Sequence, residues 1–275
     1  MKIISVGSSS SGNSYIIRAE GHTVILDAGL TCRRIMEALH EVGAGPEDVE
    51  AVLITHEHSD HVKSVRAVAR KCHNAVVFAS RGTIGHSENL RHVPEERLCP
   101  VGAGEIIEIG GLSIGTFPLS HDAAEPLGFT VEAGDEKLAV VTDTGIVTDE
   151  IYAAIRDADL LVFEANHDPD MLMFGGYPYP LKVRIKSDAG HLSNDYAAEV
   201  LTRILEDRRA EAREPRGEIR DPLRIMLAHL SFNNNMPLFA RQAVNDALTA
   251  AGFSEGSDYL LEVAAREDLT DMPSL

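Results

Sequence analysis

Three histidines and one aspartate, all able to bind metal, lie within one short run, residues 56–61, which reads His-Glu-His-Ser-Asp-His. The apolar residues before it predict a strand over 51–56. Just after a strand the backbone is still extended and alternate side chains share a face, so His56 and His58 can converge on one ion. A turn into a helix then aims Asp60 and His61 at a second position. The alternative, an exposed helix start with incidental histidines, fits poorly with three histidines in six residues.

The types of ligand in this run limit which metal ions can bind and which reaction they can support. Neutral imidazole and carboxylate groups suit Zn²⁺, Mn²⁺ or Fe, and the absence of thiolates argues against a purely structural zinc site. Two such ions would share a hydroxide that is a ready nucleophile near neutral pH. We therefore expect two divalent metal ions as cofactors and hydrolysis as the reaction.

Further metal-binding side chains stand at or just past the carboxyl ends of apolar runs. In α/β folds, functional sites assemble at these ends, because loops there carry chemistry while the sheet holds them rigid. A single metal-binding residue at the end of an apolar run carries little information. The pattern occurs six times in this chain, at Asp27, His56, His121, Asp143, Glu164 and His229.

These apolar runs define the elements that must position the site. The sequence predicts strands over 2–6, 14–19, 23–29, 51–56, 75–80, 104–121, 126–133, 137–145, 159–164, 223–229 and 258–264, and helices over 31–42, 59–71, 148–157, 193–208 and 237–251. Residues 165–190 are predicted to be irregular. The mixed-charge segment 203–222, with Pro215 and Gly217, is predicted to be a helix end and a solvated loop. No stretch has the composition of a linker, so we expect residues 1–275 to form one domain.

The bulk composition limits the partners and the compartment. The chain has 275 residues and a formal net charge of −18, which argues against a nuclease without excluding one. No apolar run approaches the roughly 18 residues that span a bilayer, and the start lacks the apolar region of a secretory signal. Three cysteines without a C-x-x-C pair fit a reducing compartment. We expect a cytoplasmic protein that does not bind membranes, and leave its oligomeric state open.

Residues 56–61 resemble the H-x-H-x-D-H signature of the metallo-β-lactamase superfamily. Further motifs of that family follow in its order, namely TVILDAG with Asp27, PLSHD with His121, VVTDTG with Asp143 and LAHLS with His229. The resemblance implies an α/β fold of four layers, an αβ/βα sandwich in which helices flank two mixed β-sheets.

The same resemblance implies two sets of ligands that share one carboxylate. The first metal ion would be bound by His56, His58, His121 and Asp143. The second would be bound by Asp60, His61, Asp143 and His229. Asp27 would support the ligands by hydrogen bonds rather than bind metal itself.

The ligand set resembles the phosphodiesterase branch of the superfamily, which includes the tRNA 3′-processing endonucleases. FEANHD (163–168) and GHLSN (190–194) resemble elements that those enzymes place beside the metals. Glu164 is therefore expected to orient His191, and His191 to donate a proton to the leaving oxygen. The alternatives are that Glu164 is a carboxylate making a turn at a strand end and that His191 is a neighbour of a helix cap. With Asp60, they are the expected catalytic residues.

Motifs along the whole chain, including SSGNS, THEHSDH and LAHLSxxNN, resemble the bacterial YycJ/WalJ group of metallo-hydrolases. This resemblance implies a phosphodiesterase with 5′-to-3′ exonuclease activity on DNA. One alternative is hydrolysis of a thioester, a lactone or another small carbonyl compound by the same centre. The other is a non-catalytic, metal-binding regulatory module.

Two segments supply candidate contacts to a nucleic acid. The loop 8–14, with Ser11 and Asn13, joins the first two predicted strands and can receive a phosphate on its hydroxyl and N–H groups, but it is equally a flexible hairpin turn. Lys182, Arg184 and Lys186 alternate along the chain and would line one face of an extended segment. A solvated edge strand is the alternative for that segment.

Overall fold

The computed structural model describes residues 1–213 and 220–273. In chain order the strands of these residues are β1 (Lys2–Ser9), β2 (Gly12–Ala19), β3 (His22–Leu26), β4 (Val49–Leu53), β5 (Val76–Ala79), β6 (Leu98–Pro100), β7 (Ile106–Ile109), β8 (Leu112–Pro118), β9 (Leu127–Ala133), β10 (Glu136–Val141), β11 (Leu160–Glu164), β12 (Leu223–Ala228), β13 (Tyr259–Val263) and β14 (Thr270–Asp271). The α-helices are α1 (Cys32–Glu41), α2 (Ser59–Val62), α3 (Val65–Lys71), α4 (Arg81–His86), α5 (Asp149–Ile155), α6 (Pro169–Phe174), α7 (Tyr179–Ile185), α8 (Asn194–Ala212) and α9 (Pro237–Ala250).

The strands form two mixed sheets of seven strands each, with the orders β14-β1-β2-β3-β4-β5-β6 and β13-β12-β11-β10-β9-β8-β7. In the first sheet β1, β2 and β3 pair antiparallel, and β3 to β6 pair parallel. In the second, β7 to β10 pair antiparallel and β10 to β13 pair parallel. Each sheet therefore has a parallel half, whose strands end at a common edge.

Helices cover the outer face of each sheet, and a third apolar layer lies between the sheets. The helices α1 and α3 pack on the first sheet, where Ile35 and Val68 join the same core cluster as Val52. The helices α5, α8 and α9 pack on the second sheet. The two inner faces meet in a cluster that includes Leu53 and Val162. The expected four-layer αβ/βα sandwich is confirmed.

Burial on both faces explains why the strands show continuous apolar runs instead of alternation. In β4, Ala51 and Leu53 face the other sheet, whereas Val52 faces the helices. Each fully buried side chain of this size contributes about 1.5–3 kcal/mol relative to exposure. None of the described helices is both long and apolar enough to cross a membrane.

Several predicted elements differ from the structure. The run 104–121, predicted as one strand, forms the β7–β8 hairpin, because Gly110 turns the chain with a φ of 57°. The predicted helix 59–71 is two helices, α2 and α3. The predicted irregular stretch 165–190 contains α6 and α7, whose first turns each carry a proline. Pro215 and Gly217 lie outside the described residues.

Glycine at position 29 allows three segments to meet at the edge of the first sheet. The Gly29 N–H donates to the carbonyl of Asn13 at 2.9 Å, and the Ala28 N–H donates to the carbonyl of His61 at 2.7 Å. A Cβ on Gly29 would lie 1.5 Å from the carbonyl oxygen of Asp60. The backbone of the 56–61 loop can approach only because residue 29 has no side chain.

Gly29→Ala should therefore lower the free energy of unfolding by about 1–3 kcal/mol, as overpacking of a tight contact does. Urea unfolding followed by circular dichroism measures this change. The matched control is Gly176→Ala, since a Cβ on Gly176 meets no atom within 4 Å. Equal stability of the two variants would contradict the tight approach at Gly29.

Candidate metal centre

The side chains predicted to bind metal come together at the edge where the parallel strands of both sheets end. In the first sheet β4 leads into the run 56–61, and α2 begins at Ser59. In the second sheet Asp143 follows β10, Glu164 ends β11 and His229 follows β12. Two further histidines come from other segments, His121 from the loop after β8 and His191 from the loop between α7 and α8. Donor atoms lie within 4.8 Å of one another in the groups His56-His58-His121, Asp60-His61-His229, His56-His61-Asp143 and Asp143-Glu164-His191-His229.

Three residues of the centre have left-handed backbone conformations. The φ angles are 59° at Asp27, 62° at Asp143 and 56° at His229, and each residue follows a strand directly or after one residue. Only a few per cent of non-glycine residues adopt this region, and such strain is concentrated at functional sites. The sharp turns aim the side chains of Asp143 and His229 into the centre and the side chain of Asp27 at the His61 ring behind it.

Three histidines of the cluster each have one ring nitrogen held by a neighbouring group outside the cluster. Nδ1 of His121 lies 3.0 Å from the carbonyl of Gly190, and Nδ1 of His56 lies 3.0 Å from Oγ1 of Thr55. Nδ1 of His61 contacts Oδ2 of Asp27 at 2.7 Å. A partner on one nitrogen fixes the ring and leaves the other nitrogen to bind metal.

Asp27 is fully buried and lies behind the run 56–61 rather than in the cluster itself. Its Oδ1 accepts from the Thr55 N–H at 2.9 Å, and its Oδ2 accepts from the Thr55 hydroxyl at 2.9 Å. Together with the contact to His61, these bonds tie the ligand loop to the end of β3. Asp27 is thus placed to support a ligand.

Glu164 is a buried carboxylate that contacts two histidines. Its Oε1 lies 2.8 Å from Nδ1 of His191 and 3.0 Å from Nδ1 of His229, while Oε2 accepts from the Thr144 N–H at 3.0 Å. Burial raises its pKa, but His191 lowers it, and the net pKa is about 2. A charged Glu164 thus holds both Nδ1 atoms, and Nε2 of His191 stays available to another group.

Two buried atoms of the centre make no hydrogen bond within the described part of the chain. They are Nε2 of His56 and Oδ2 of Asp143, which has only a ring nitrogen of His61 at 3.2 Å, outside hydrogen-bond geometry. A buried polar atom without a partner costs about 1–3 kcal/mol, so such atoms call for a ligand. Nitrogen and carboxylate donors within coordinating reach of each other fit a divalent metal ion.

The electrostatics of the cluster centre on Asp143, which is 2% exposed. Burial raises the pKa of Asp143, but His229 and His61 hold it well below its ordinary value. Burial opposes a charged His61, yet the carboxylates of Asp143 and Asp27 raise its pKa well above normal. Asp143 likewise outweighs burial and raises the pKa of His229 to about 10. The buried carboxylate needs positive charge nearby, which a divalent ion supplies while leaving the imidazoles neutral.

The residues predicted to contact a nucleic acid are found in other roles or at other places. Ser8 and Ser9 belong to β1, so the loop joining the first two strands is only residues 10–11. Ser11 is exposed in it. Asn13 is fully buried, and its amide lies 3.2 Å from Nε2 of His61 and 3.4 Å from Oδ2 of Asp60. Asn13 therefore contacts two of the expected ligands, and its burial leaves it inaccessible to a substrate.

The predicted extended segment with Lys182 and Arg184 is wrong, because these residues lie in α7. In a helix, residues 182 and 186 share a side and residue 184 does not. The Lys182 ammonium donates to the carbonyls of Met173 and Gly175 at 2.7 Å each. Arg184 pairs with Asp122, with 2.9 Å between Nη2 and Oδ1. Both side chains are thus engaged within the chain.

Supporting residues around the cluster were not predicted from the sequence. Thr55 bonds Asp27 and contacts His56, and the Asn166 amide donates to the carbonyl of His229 at 2.8 Å. Ser8 accepts from the His229 N–H at 2.8 Å and so links the two sheets. The sequence signal that could have identified such supporting residues is a small polar residue directly beside an expected ligand or at the end of an apolar run.

Comparisons with known proteins identify the family of this chain. A model of the beta-lactamase superfamily domain matches residues 22–210. The chain is 34% identical over 255 residues to exodeoxyribonuclease YycJ of Bacillus anthracis, covering 92% of this chain and 91% of that protein. It is 35% identical over 257 residues to exodeoxyribonuclease WalJ of Streptococcus pneumoniae serotype 2, covering 92% and 90%.

A solved structure supports the fold independently. The metallo-beta-lactamase fold protein YhfI of Bacillus subtilis superposes with a TM-score of 0.70 at 14% identity and covers 98% of both chains. At this identity the likeness concerns the fold alone. The domain match and the two relatives show that the chain belongs to the metallo-β-lactamase superfamily and, within it, to the family of the YycJ and WalJ proteins.

Proposed function

We propose that this protein is a phosphodiesterase with two divalent metal ions that degrades DNA from the 5′ end. The observation that carries the proposal is the pair of His191 and Glu164 beside a cluster of nitrogen and carboxylate donors. A hydrolase that acts on an alkyl phosphodiester needs an acid to protonate a poor leaving group, and an oriented histidine suits that role. The two relatives described above, which match 92% of this chain, bear the name exodeoxyribonuclease.

We assign the ligands as the resemblance to the metallo-β-lactamase superfamily implies, and the donor groups of the cluster are compatible with this assignment. One ion is assigned to His56, His58, His121 and Asp143, and the other to Asp60, His61, Asp143 and His229. Asp60 is a reasonable ligand because its Oδ2 lies 3.5 Å from Nε2 of His229 and 3.4 Å from Nε2 of His61. When bound, the ions would lower the pKa of water and neutralise charge on the phosphate. Zn²⁺, Mn²⁺ and Fe all suit these donors.

His191 then acts on the leaving group, and Glu164 positions it. Water attacks phosphorus, the bond between phosphorus and the 3′ oxygen of the terminal nucleotide breaks, and His191 gives its Nε2 proton to that oxygen. The products are a nucleotide with a free 3′ hydroxyl and a shortened strand with a new 5′ phosphate. Glu164 is fully buried and acts as a positioning residue, since it holds Nδ1 of His191.

A cytoplasmic location and a single domain stay predictions. The acidic composition, with a net charge of −18, limits binding to nucleic acid through a general positive field. Specific contacts near the centre are then needed to hold a strand end.

His56→Ala should lower the metal content of the purified protein and abolish DNA hydrolysis, because it removes a ligand whose Nε2 has no other use. Metal per chain is measured by inductively coupled plasma mass spectrometry, and hydrolysis on 5′-labelled single- and double-stranded DNA. The control is His73→Ala, which removes an exposed histidine after α3. Normal metal content and activity in His56→Ala would remove the centre as proposed.

His191→Ala should slow DNA hydrolysis about 10²–10⁴-fold, the usual contribution of a general acid. Hydrolysis of bis-p-nitrophenyl phosphate should fall far less, because p-nitrophenolate leaves without a proton. Metal content should stay at the wild-type level. Equal losses on both substrates, or loss of metal, would show that His191 serves as a ligand or a structural group instead.

A substrate panel separates the proposed activity from carbonyl hydrolysis on the same centre. DNA with labelled 5′ ends, the equivalent RNA, bis-p-nitrophenyl phosphate and a thioester are incubated with the metal-loaded protein. We expect mononucleotides from DNA as the first products. Turnover of the thioester with no hydrolysis of any phosphodiester would contradict the proposed function.

A further inference from the structure

The large apolar side chains that remain exposed are concentrated in two segments of the chain. Of the nine such side chains among the described residues, eight belong to residues 173–183 or to residues 232–239. The first segment runs from the end of α6 through most of α7, and the second runs from the loop after β12 into α9. Together they are named the aromatic surface here, because they expose the rings of Phe174, Tyr179 and Phe232 to 84%, 74% and 64%.

Direct contacts join the two segments. The Asn233 amide donates to the hydroxyl of Tyr177 at 3.0 Å, and the Asp168 N–H, just before α6, donates to the carbonyl of Asn234 at 2.9 Å. A Cβ on Gly175 would lie 2.9 Å from Oδ1 of Asn234, so glycine lets the end of α6 approach the second segment. Single apolar residues scattered over a surface are ordinary, but an exposed group on adjoining segments marks a binding site.

Buried asparagines fix the second segment with its apolar side chains outwards. Asn234 and Asn235 are each 1% exposed, whereas the neighbouring Phe232 is 64% exposed. The Asn235 amide donates to a backbone carbonyl of the loop after β11 at 2.8 Å, and its Oδ1 accepts from the Met236 N–H at 2.9 Å. The usual order, with polar side chains outside and apolar ones inside, is reversed here. The exposed apolar side chains are thus a property of the folded backbone.

The charge of the aromatic surface is opposite to that of the whole chain. Residues 171–187 contain three basic residues and no acid, and residues 230–240 contain no charged residue, although the net charge of the chain is −18. Arg184 pairs with a carboxylate, but Lys182 and Lys186 make no ion pair within the described ranges of the chain. Exposed rings beside positive charge suit a single-stranded nucleic acid, whose bases stack on rings and whose backbone is anionic.

A second copy of this chain is the other partner that an exposed apolar surface could bind. In a twofold dimer the surface would meet itself, because such an interface uses the same patch on both subunits. The lysines of the two copies would then face each other, and like charges opposed in an interface lower affinity. The sign of the charge therefore favours a polyanion over a second copy.

The aromatic surface begins directly beside the metal centre. Phe232 is three residues after His229, so their Cα atoms are at most about 11 Å apart at 3.8 Å per residue. In the other segment, α6 begins five residues after Glu164. A DNA strand whose end lies at the centre is therefore within reach of the exposed rings.

We infer that the aromatic surface binds the bases of unpaired DNA, which stack on Phe174, Tyr179 and Phe232. The inference rests on the proposed function and specifies its substrate as single-stranded DNA. Every base has a flat face, so stacking holds a strand without regard to its sequence, as a degradative enzyme requires. Stacking also supplies affinity that a chain with a net charge of −18 does not obtain from a general positive field.

Binding of a fluorescein-labelled oligothymidine, measured by fluorescence anisotropy, tests the inference. The metal-loaded His191→Ala protein is the parent, because its slow hydrolysis separates binding from turnover. In this parent, Phe174→Ala and Phe232→Ala should each raise the Kd about tenfold, the effect of losing one stacked base. Phe174→Trp should keep the parent Kd, whereas Phe174→Leu should raise it like Phe174→Ala, since leucine keeps the apolar area but not the flat ring. A strand with abasic sites should bind the parent and Phe174→Ala equally weakly.

Ile106→Ala is the matched control, since it removes a side chain on β7 that is 68% exposed and lies outside the aromatic surface. It should keep the parent Kd, and thermal unfolding is measured for every variant. An unchanged Kd in both alanine variants, or a parent Kd in Phe174→Leu, would overturn the inference alone. A dimer that dissociates in Phe174→Ala while the Kd stays unchanged would assign the surface to a second copy and also overturn it. Absence of hydrolysis of any DNA by the wild type would overturn the proposed function instead.

Discussion

A carboxylate buried between two β-sheets needs positive charge around it, and Asp143 is that carboxylate in this chain. The residue is 2% exposed, and its pKa is held well below normal by His229 and His61. Those histidines are in turn held by Glu164 and Asp27. The network of carboxylates and imidazoles therefore extends from the one buried charge outwards to the ends of strands in both sheets.

The two sheets supply what such a network requires, namely rigid strand ends that face each other. Asp143 follows β10 of the second sheet, whereas His56 and His61 follow β4 of the first sheet. Ser8 joins the two sheets by accepting from the N–H of His229. The left-handed conformations at Asp27, Asp143 and His229 persist because packing on both sides overdetermines them. The strain is located where side chains must leave the sheet edge at a sharp angle.

Much of this arrangement could be predicted from the sequence, because both sheets are buried on both faces. Apolar runs that end in a residue able to bind metal predict β4, β10, β11 and β12 and the edge where they meet. The ends of the strands are harder to predict, because the turn at Gly110 does not interrupt the apolar pattern of residues 104–121. The segment 165–190 looked irregular because its helices are short and contain prolines.

The supporting polar residues were harder to predict than the ligands. Thr55 and Asn166 resemble ordinary loop residues until their partners are seen. Asn13 is a clear case, because its Gly-Asn-Ser context suggests an exposed turn, yet β2 begins at Gly12 and buries the amide against His61. Alternation assigned Lys182, Arg184 and Lys186 to one face, which holds for a strand but not for α7. The local sequence pattern does not show which residues are buried by segments that are distant in the sequence.

The central claim is that the donors around Asp143 hold two divalent ions that this carboxylate bridges. Anomalous diffraction from crystals grown with Zn²⁺ or Mn²⁺ tests it most directly. The account predicts two peaks about 3.5–4 Å apart, on either side of the Asp143 carboxylate. A single peak, or peaks that do not contact Asp143, would contradict it.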